Sequence, residues 1–572
     1  MKRIEHRKTL AAVALLITFI FCIPFYQTSL YQGLDVTFHL SRIDGLLSCT
    51  KDLQIPWAIY AEKNFGFGYA SPLFYCDLFL FPAAVLYAMN IPIVIVYKIF
   101  VFVVAWFGVF FSLLSMYYFT KDKWLTVFGG LLFAFSSYHI NDFFIRAAIG
   151  EAMAFSLMPL FPLVTYRYFA ERKNNTLELA MFFTLLALAH LITFALCAAI
   201  TAILFICYIG TMFKKKGHFF TFVKAVIIGF ALSAFFLVPL LQQLRSQTFL
   251  FAQNRELFGE TIMQMYSNTP LSAVTDYLLE GGYDLEAHHY FVGLAVLLAP
   301  FLYLFTKDRG KTHVYMGLLT LFSMVLFLCT TDLIPLWKIS ILQSIQFTYR
   351  FNILIASFLP FVLVYTLKCM NRKSALVISV LLTVYLAANT GVIYRQLMKD
   401  SPRISDTISK YTLFGGQFYE NYNNHYNIAE LGSGEYLPAT HKMDYQEKQG
   451  SVFLFETIAP SVSYSREGTT STLKLNSLND GFVAIPVTWY LGYQAERQDG
   501  DSWVVIPITQ EEYTGQIVIP VIAGEHTYRV RYVGTKVQKA ALALSFVSLL
   551  ILAGFLMARS AARKELENSR AK

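Results

Sequence analysis

Windows of about 18 or more residues without a charge recur over the first 400 residues, and once more near the end of the chain. A helix of that length crosses the ~30 Å hydrocarbon core of a bilayer. The chain is 56% hydrophobic and only 15% charged, which is too apolar for the surface of a soluble protein of 572 residues. The sequence therefore predicts a polytopic α-helical membrane protein.

The apolar pattern predicts about twelve transmembrane helices. They cover residues 9–25, 93–118, 124–138, 152–170, 176–193, 196–213, 219–241, 290–306, 312–330, 351–367, 374–392 and 538–557. A further apolar segment, 71–91, contains Asp77 and Pro82. If it does not cross, the Lys and Arg clusters between the spans fall on the cytoplasmic side, as the positive-inside rule requires. We therefore expect 71–91 to be an interfacial or re-entrant helix and the N-terminus to be cytoplasmic.

The net charge of +9 arises largely from these clusters, so it indicates membrane topology and excludes nucleic acid as an expected partner. No Walker, Rossmann or HExxH pattern occurs in the sequence, which argues against ATP, NAD and a metalloprotease site. The seven cysteines show neither a disulfide framework nor zinc-ligand spacing. Polar side chains outside the membrane are therefore the expected carriers of function.

The chain divides into three predicted parts. Residues 1–392 form a multispanning membrane domain, whose first outer loop covers 26–92. In residues 393–536, short alternating apolar runs are separated by turn residues, which is typical of β-strands. This pattern predicts an extracellular β-sandwich near the C-terminus. Residues 537–572 contain the final span and a basic cytoplasmic tail.

The stretch "LDVTFHLSRI" follows the first span and contains Asp35, His39 and Arg42 at helical spacing. These side chains could simply be solvated above the membrane and pair with one another. Alternatively, Asp35 could accept a proton from an acceptor hydroxyl while a nearby cation keeps it ionised. The spacing does not distinguish these interpretations.

A second polar group, "SSYHINDFFIRAAIGEAM", follows the third span on the same predicted side. Asp142 and Arg146 are four residues apart and could form a juxtamembrane salt bridge. Glu151 begins an apolar span, where an acid requires a partner or a water-filled cavity. His190, in the turn between two spans, could either bond a backbone carbonyl or act as a ligand or acid–base group.

Lys338 and Arg350 lie beside an aromatic cluster in "LWKISILQSIQFTYRF". Interfacial cations and aromatic residues often only anchor helices. A phosphate clamp is the alternative, because a planar guanidinium can hold two phosphate oxygens at once.

These motifs, taken in order, resemble the bacterial YfhO-like and 6-pyruvoyl-tetrahydropterin synthase-related membrane proteins, which are similar to GT-C glycosyltransferases. The pterin label does not fit a membrane chain without a His-rich zinc site. Where the family usually has an aromatic Pro-Trp-Arg run, this chain has Thr348, Tyr349 and Arg350, so only the arginine carries over. The matching stretches are "LDVTFHLSRIDGL", "NFGFGYASPLFY", "IRAAIGEAMAF", "HLIT", "SIQFTYRF", "EYLPAT", "IPVTWYLGYQAERQDG" and "IVIPVIAGEHTYRVRY".

The resemblance implies a GT-C-like enzyme of the bacterial plasma membrane that transfers a sugar from a polyprenyl-phosphate donor to an acceptor on the outer face. The acceptor would be a cell-surface glycan, teichoic acid, lipid or protein. Asp35 would be the general base, or would coordinate a divalent cation if one is used, and no other cofactor is implied. Glu151 would be the second catalytic residue. The predicted substrate-binding residues are His39, Arg42, Arg146, His190, Lys338 and Arg350.

A lipid-linked donor suits this arrangement, because nucleotide sugars are absent outside the cell and an isoprenoid tail needs an apolar groove. The main rival interpretation is a transporter or lipid flippase, which would place its ionisable residues near the bilayer midplane and usually has related halves. The polar groups of this chain lie instead at the predicted outer edge, and no internal duplication is evident. A third interpretation is a non-catalytic cell-envelope assembly factor with a polymer-binding β-domain.

Overall fold

The computed structural model describes residues 2–31, 33–214, 217–267, 293–399, 403–404, 431–432, 434–440 and 452–571. The chain falls into two compact units. Unit 1 comprises Met1–Ile43, Leu80–Thr221 and Ala252–Gly432. Unit 2 comprises Asp44–Phe79, Phe222–Phe251 and Ser433–Lys572.

Helices dominate the chain outside its C-terminal region. The α-helices are α1 Lys2–Phe21, α2 Val36–Lys51, α3 Ser71–Phe74, α4 Phe81–Ala88, α5 Ile93–Thr120, α6 Lys123–Ala134, α7 Ser137–Ile140, α8 Ile149–Leu157, α9 Leu160–Thr165, α10 Thr176–Ala189, α11 Leu191–Cys207, α12 Ile209–Lys214, α13 His218–Ser246, α14 Leu250–Met265, α15 Leu294–Tyr303, α16 Lys311–Cys329, α17 Asn352–Cys369, α18 Arg372–Lys399 and α19 Lys536–Ala571. Two π-helical turns cover Asn141–Ile145 and Tyr166–Ala170, and 3₁₀ turns cover Ile23–Tyr26, Leu78–Leu80, Leu336–Lys338, Ser340–Ile345 and Thr348–Phe351.

Helices occupy at least part of each of the twelve predicted spans, as far as the structure describes them. Among the described residues, seven helices are long and apolar enough to cross a membrane by themselves: Ile93–Thr120, Ile149–Ala170, His218–Ser246, Lys311–Cys329, Thr348–Cys369, Arg372–Lys399 and Lys536–Ala562. Four shorter apolar helices have 10–17 residues. The protein is thus a mostly helical membrane protein, while the count of twelve spans stays a prediction.

The segment 71–91 forms short helical pieces and not one continuous helix. α3 ends at Phe74, a 3₁₀ turn follows at Leu78–Leu80, and α4 runs from Phe81 to Ala88. Pro82 occupies the first turn of α4, where its missing N–H leaves no intrahelical bond unmade.

Unit 1 is built around a buried helix, α17. Sixteen of its eighteen residues, from Asn352 to Leu367, are buried. A helix that is apolar on every side is expected at the centre of a bundle. α5, α6, α15 and α16 pack against it. Local signals set the helix boundaries around this core: the Asp122 carboxylate accepts a hydrogen bond from the Leu125 N–H at 3.1 Å and caps α6.

Unit 2 contains two antiparallel sheets. Their strands are β3 Phe453–Phe455, β4 Ser461–Glu467, β5 Thr470–Ser477, β6 Gly481–Thr488, β7 Tyr493–Asp499, β8 Ser502–Ile506, β9 Thr509–Gln510, β10 Gln516–Val521 and β11 Gly524–Tyr532; β1 Leu30–Tyr31 and β2 Arg403–Ile404 pair in unit 1. One sheet has the order β3-β6-β10-β9 and the other β4-β5-β11-β7-β8. A C-terminal β-sheet region is therefore present as expected, and its extracellular location stays a prediction.

The part of the first predicted outer loop that belongs to unit 2 packs against these strands. The Thr488 N–H donates to the Phe67 carbonyl at 2.8 Å, which joins β6 to the loop. Lys63 and Asp44 form a buried ion pair at 2.8 Å within the same loop. Residues 44–79 are thus structured by contacts with a region about 400 residues later in the sequence.

Candidate functional site

The segment before α2 is held against the turn that follows the first π-helical turn. The Leu34 N–H donates to the Ile145 carbonyl at 3.0 Å, and the Asp35 N–H donates to the Arg146 carbonyl at 2.9 Å. Gly33 permits this approach, because a Cβ there would lie 2.7 Å from the Ala147 Cβ. The backbone therefore fixes Asp35 beside Arg146.

Asp35 lies just outside the helix that the sequence predicted for this stretch. α2 begins at Val36, and the Asp35 carbonyl accepts the N–H of His39 at 3.1 Å, as the residue at a helix N-cap does. Asp35 thus leads into the helix, while His39 and Arg42 lie on it and are buried.

Four residues form what we call the ion cluster: Asp142, Arg146, Glu151 and Arg350. One terminal nitrogen of Arg146, Nη1, lies 3.0 Å from Asp142 Oδ1 and 3.0 Å from Glu151 Oε2. Arg350 Nε lies 3.7 Å from the same oxygen of Glu151. The glutamate at the start of one span is therefore shared between two guanidinium groups, as a buried acid requires.

Two tyrosines complete the surroundings of Arg146. The Tyr138 hydroxyl donates to Glu151 Oε1 at 2.5 Å and accepts from Arg146 Nη1 at 3.3 Å. The Tyr349 ring lies under the guanidinium, with its centroid 4.9 Å from Cζ, a cation–π geometry. Neither tyrosine was singled out from the sequence, because the only available signal was its position next to polar residues.

An irregular backbone presents this cluster. The π-helical turn Asn141–Ile145 ends at Arg146, whose N–H donates to the Asn141 carbonyl at 2.9 Å. The next residue, Ala147, has a φ of 53°, in the left-handed region that residues with a side chain rarely adopt. Insertions of this kind and strained residues are frequent at functional sites, because they aim side chains that a regular helix would separate.

Asp35 is the most accessible carboxyl of the group. It is half-buried, whereas Asp142 and Glu151 are buried. Burial raises the pKa of Asp35, and the nearby Arg146 and Arg350 lower it in part. Asp35 is thus within electrostatic reach of the ion cluster and also has an accessible edge. A carboxyl in such a position can take up a proton at a higher pH than an ordinary aspartate.

The guanidinium of Arg350 is held by hydrogen bonds to the turn that precedes it in the sequence. Its Nη1 donates to the Ile345 carbonyl and to Gln346 Oε1, both at 2.8 Å, and its Cζ lies 5.0 Å from the Phe347 ring centroid. Its Nε–H has no hydrogen-bond acceptor among the residues that the structure describes. Arg350 therefore has a fixed position beside Glu151.

His39 and Arg42 are almost inaccessible, with 1% and 0% of their surface exposed. His39 Nε2 accepts the Ile149 N–H at 3.1 Å, and its Nδ1 lies 3.3 Å from Arg42 Nη1. Because Nε2 accepts this hydrogen bond, the ring is uncharged and carries its proton on Nδ1; burial, followed by the charge of Arg42, holds its pKa well below the usual range. This imidazole ties α2 to the first residue of α8.

The remaining predicted residues are His190 and Lys338. His190 interacts electrostatically with Glu151, Arg350 and Arg146, and its Nδ1 lies 2.8 Å from the Thr193 hydroxyl. Lys338 is exposed, and in the described part of the chain its side chain makes no ion pair or hydrogen bond.

A small cavity lies beside the ion cluster. The cavity beside Asp142 has a volume of about 10 Å³, whereas small-molecule sites usually measure about 300–1,000 Å³. Within the described ranges, no group of three or more His, Cys, Asp and Glu is arranged to hold a metal ion.

Comparisons with known proteins agree with the resemblance drawn from the motifs. A family model described as "6-pyruvoyl-tetrahydropterin synthase related domain; membrane protein" matches residues 72–397, more than half of the chain. An uncharacterized protein of Lactococcus lactis subsp. cremoris (strain MG1363) is 25% identical over 343 residues, which cover 57% of this chain and 54% of that protein. The match thus spans about half the length of the relative. The chain belongs to the 6-pyruvoyl-tetrahydropterin synthase-related family of membrane proteins.

Proposed function

We propose that this protein is a GT-C type glycosyltransferase that uses a polyprenyl-phosphate-linked sugar. The hydroxyl of a cell-surface acceptor attacks the anomeric carbon of the donor sugar. The bond between that carbon and the phosphate oxygen breaks, and the polyprenyl phosphate leaves with the bonding electrons. Asp35 takes the proton of the attacking hydroxyl.

The observation that carries the proposal is the combination of exposure and charge at Asp35. Its carboxyl is half-buried, its pKa is raised by burial, and two arginines are within electrostatic reach. A general base needs a pKa closer to the working pH than that of a free aspartate, and it needs access to the hydroxyl. Among Asp35, Asp142 and Glu151, only Asp35 combines these properties.

The arginines have different roles in this proposal. Arg146 is neutralised by Asp142 and Glu151 at 3.0 Å, so its main effect is to shape the cluster. Arg350 lies 3.7 Å from Glu151, and its buried Nε–H makes no hydrogen bond within the described part of the chain. A guanidinium that is fixed by its neighbours can hold a phosphate oxygen and stabilise the charge on the leaving group.

The proposal includes the finer topology predicted from the sequence. Twelve spans place the ion cluster and Asp35 on the outer face of the bacterial plasma membrane, with an extracellular β-sandwich between the last two spans. Lipid-linked sugars are the donors available at that face, and the acceptor is a glycan, teichoic acid, lipid or protein of the cell envelope.

The test compares cells that lack the protein with cells that express the wild type or Asp35→Asn. Lipid-linked sugars and envelope glycans are extracted and identified by mass spectrometry. Loss of the protein is expected to cause one carrier-linked sugar to accumulate and one envelope sugar to disappear, and Asp35→Asn is expected to do the same.

Asp332→Asn is the matched control, because Asp332 is exposed and lies in the segment predicted to face the same side. It should restore the wild-type profile. The proposal fails if Asp35→Asn, present in the membrane at the wild-type level, also restores that profile.

A further inference from the structure

A second polar cavity lies in unit 1, away from the ion cluster. It has a volume of about 450 Å³ and is lined by residues of four segments. These segments are the end of α5, the π-helical turn Tyr166–Ala170 with the residues after it, the loop before α16, and the end of α17. The volume falls within the range of small-molecule sites.

This cavity lies at the opposite end of the spans that carry the ion cluster. Glu151 and Arg350 lie at the start of the spans Ile149–Ala170 and Thr348–Cys369, and the cavity-lining Glu171 and Lys368 lie at their ends. Each span has 22 residues, which corresponds to about 33 Å of helix. The cavity is therefore at the level of the other membrane interface.

Three lysines converge on two consecutive residues of this cavity. Lys121 Nζ lies 4.7 Å from the centroid of the Tyr118 ring. Lys173 Nζ donates to the Tyr118 hydroxyl at 2.9 Å, and Lys368 Nζ donates to the Phe119 carbonyl at 2.9 Å. The three ammonium groups thus surround one wall of the cavity.

The two carboxylates in the lining are already engaged. Glu171 lies 2.7 Å from Lys173 and accepts the Tyr118 hydroxyl. Asp308 accepts the Tyr365 hydroxyl at 2.6 Å and the Gly310 N–H at 3.0 Å. Three lysines against two acids leave the lining with a net charge of +1. Within the described ranges Lys368 forms no ion pair, so its charge is not neutralised by a side chain.

We propose that this cavity binds a phosphate group, carried by the headgroup of an anionic phospholipid or present as free phosphate. Basic pockets between helix ends on the cytoplasmic side are known to accept anionic headgroups, and the Lys clusters here are predicted to lie on that side. Lys173 and Lys368 contact the phosphate oxygens, and the tyrosine hydroxyls line the remaining polar wall. The proposal does not depend on sugar transfer.

The experiment uses the full-length protein in detergent micelles. Native mass spectrometry measures retention of phosphatidylglycerol and of phosphatidylcholine with identical acyl chains, and calorimetry measures binding of inorganic phosphate. We expect phosphatidylglycerol to be retained in preference to phosphatidylcholine. Lys173→Gln combined with Lys368→Gln should weaken that binding at least about a hundredfold, because two charge-assisted hydrogen bonds are lost.

Lys373→Gln is the control, since Lys373 is exposed and lies outside the cavity lining. Lys368→Arg keeps the charge and should retain binding, which separates the loss of a ligand from a folding defect. If inorganic phosphate binds and its binding depends on the same lysines, the ligand is free phosphate. If phosphatidylglycerol binds through these lysines and inorganic phosphate does not bind, the ligand is the lipid headgroup. Equal retention of the two lipids without phosphate binding, or an equal effect of Lys373→Gln, overturns the proposal.

Discussion

The three carboxyl groups near Arg146 differ in burial and in how they contact this arginine. Glu151 and Asp142 are buried and contact the guanidinium at 3.0 Å, while Asp35 is half-buried and attached through its backbone. The buried pair has a structural effect that can be measured without a substrate. The half-buried aspartate is the general base of the proposed reaction, and this role is tested by a rate measurement.

Asp35→Asn is expected to lower the rate of sugar transfer by about 10²–10⁴-fold, the usual contribution of a general base. A base acts only when ionised, and burial raises the pKa of Asp35. As the pH is lowered, the wild-type rate should therefore begin to fall at a higher pH than it would if Asp35 had the pKa of an ordinary aspartate. Initial rates measured across the acid range test this, and a pH profile unchanged by the substitution contradicts it.

The raised pKa of Asp35 also predicts an effect of Asp35→Asn on the stability of the protein. A carboxyl whose pKa is higher in the folded state than in the unfolded state destabilises the fold once it is ionised. Asparagine removes that penalty, so the variant should have the higher unfolding temperature at neutral pH. The difference should vanish when the pH falls below the unfolded pKa of about 3.9. Thermal unfolding at both pH values measures it.

Glu151→Gln should destabilise the protein by about 3 kcal/mol, because one of the buried partners of Arg146 is lost. Glu178→Gln is the matched control, since the Glu178 side chain is 47% exposed and pairs with Arg167. An exposed pair contributes less than about 1 kcal/mol. Denaturant unfolding in detergent gives both values, and equal losses would argue against a stabilising ion cluster.

At the level of elements, the helices were easier to predict than the contacts between them. In the described part of the chain, seven of the twelve predicted spans coincide with a helix long and apolar enough to cross a membrane, because a long apolar run has a local signature. The contact of Leu34 with Ile145 has none, since it joins residues more than 100 positions apart. The sequence therefore identified Asp35, Arg146, Glu151 and Arg350 as candidates without indicating how they meet.

Some features of the site follow from backbone irregularities that composition does not reveal. The π-helical turn Asn141–Ile145 and the left-handed Ala147 interrupt a stretch that a regular helical pattern would continue. Likewise, the helical spacing of Asp35, His39 and Arg42 does not show that α2 begins one residue after Asp35, so that only His39 and Arg42 lie on the helix. Tertiary contacts, which act over long sequence distances, decide both features.

Gly33→Ala tests the junction between the segment before α2 and the turn at residues 145–147. Its Cβ would lie 2.7 Å from the Ala147 Cβ and 2.8 Å from the Ile145 carbonyl oxygen, so the segment that carries Asp35 must shift. We expect transfer to fall at least tenfold, because small displacements of catalytic groups have large effects. Rates of the purified variant measure this loss.

Gly391→Ala is the control, because a Cβ at Gly391 meets nothing within 4 Å. Alanine within α18 should leave the rate unchanged and stabilise the helix by up to about 1 kcal/mol. If both alanine variants retain the wild-type rate, the close approach at Gly33 does not position Asp35.

For the whole molecule, sidedness decides whether the proposed chemistry is available. Lys123→Cys and Asp332→Cys introduce thiols at exposed positions in segments predicted to face opposite sides. In a background without the exposed Cys207 and Cys369, a membrane-impermeant maleimide should label Asp332→Cys in intact cells. It should label Lys123→Cys only after permeabilisation, as the positive-inside rule requires. The reverse pattern would contradict the proposed orientation.

The two spans that begin near Glu151 and Arg350 have polar groups at both ends, separated by about one bilayer thickness. Sliding of either helix along the membrane normal would draw an ion pair into hydrocarbon, which costs several kcal/mol. We therefore expect this bundle to resist displacement along the membrane normal. A thicker or thinner membrane must adapt its lipids around these helices, because axial displacement is no longer available to relieve the mismatch.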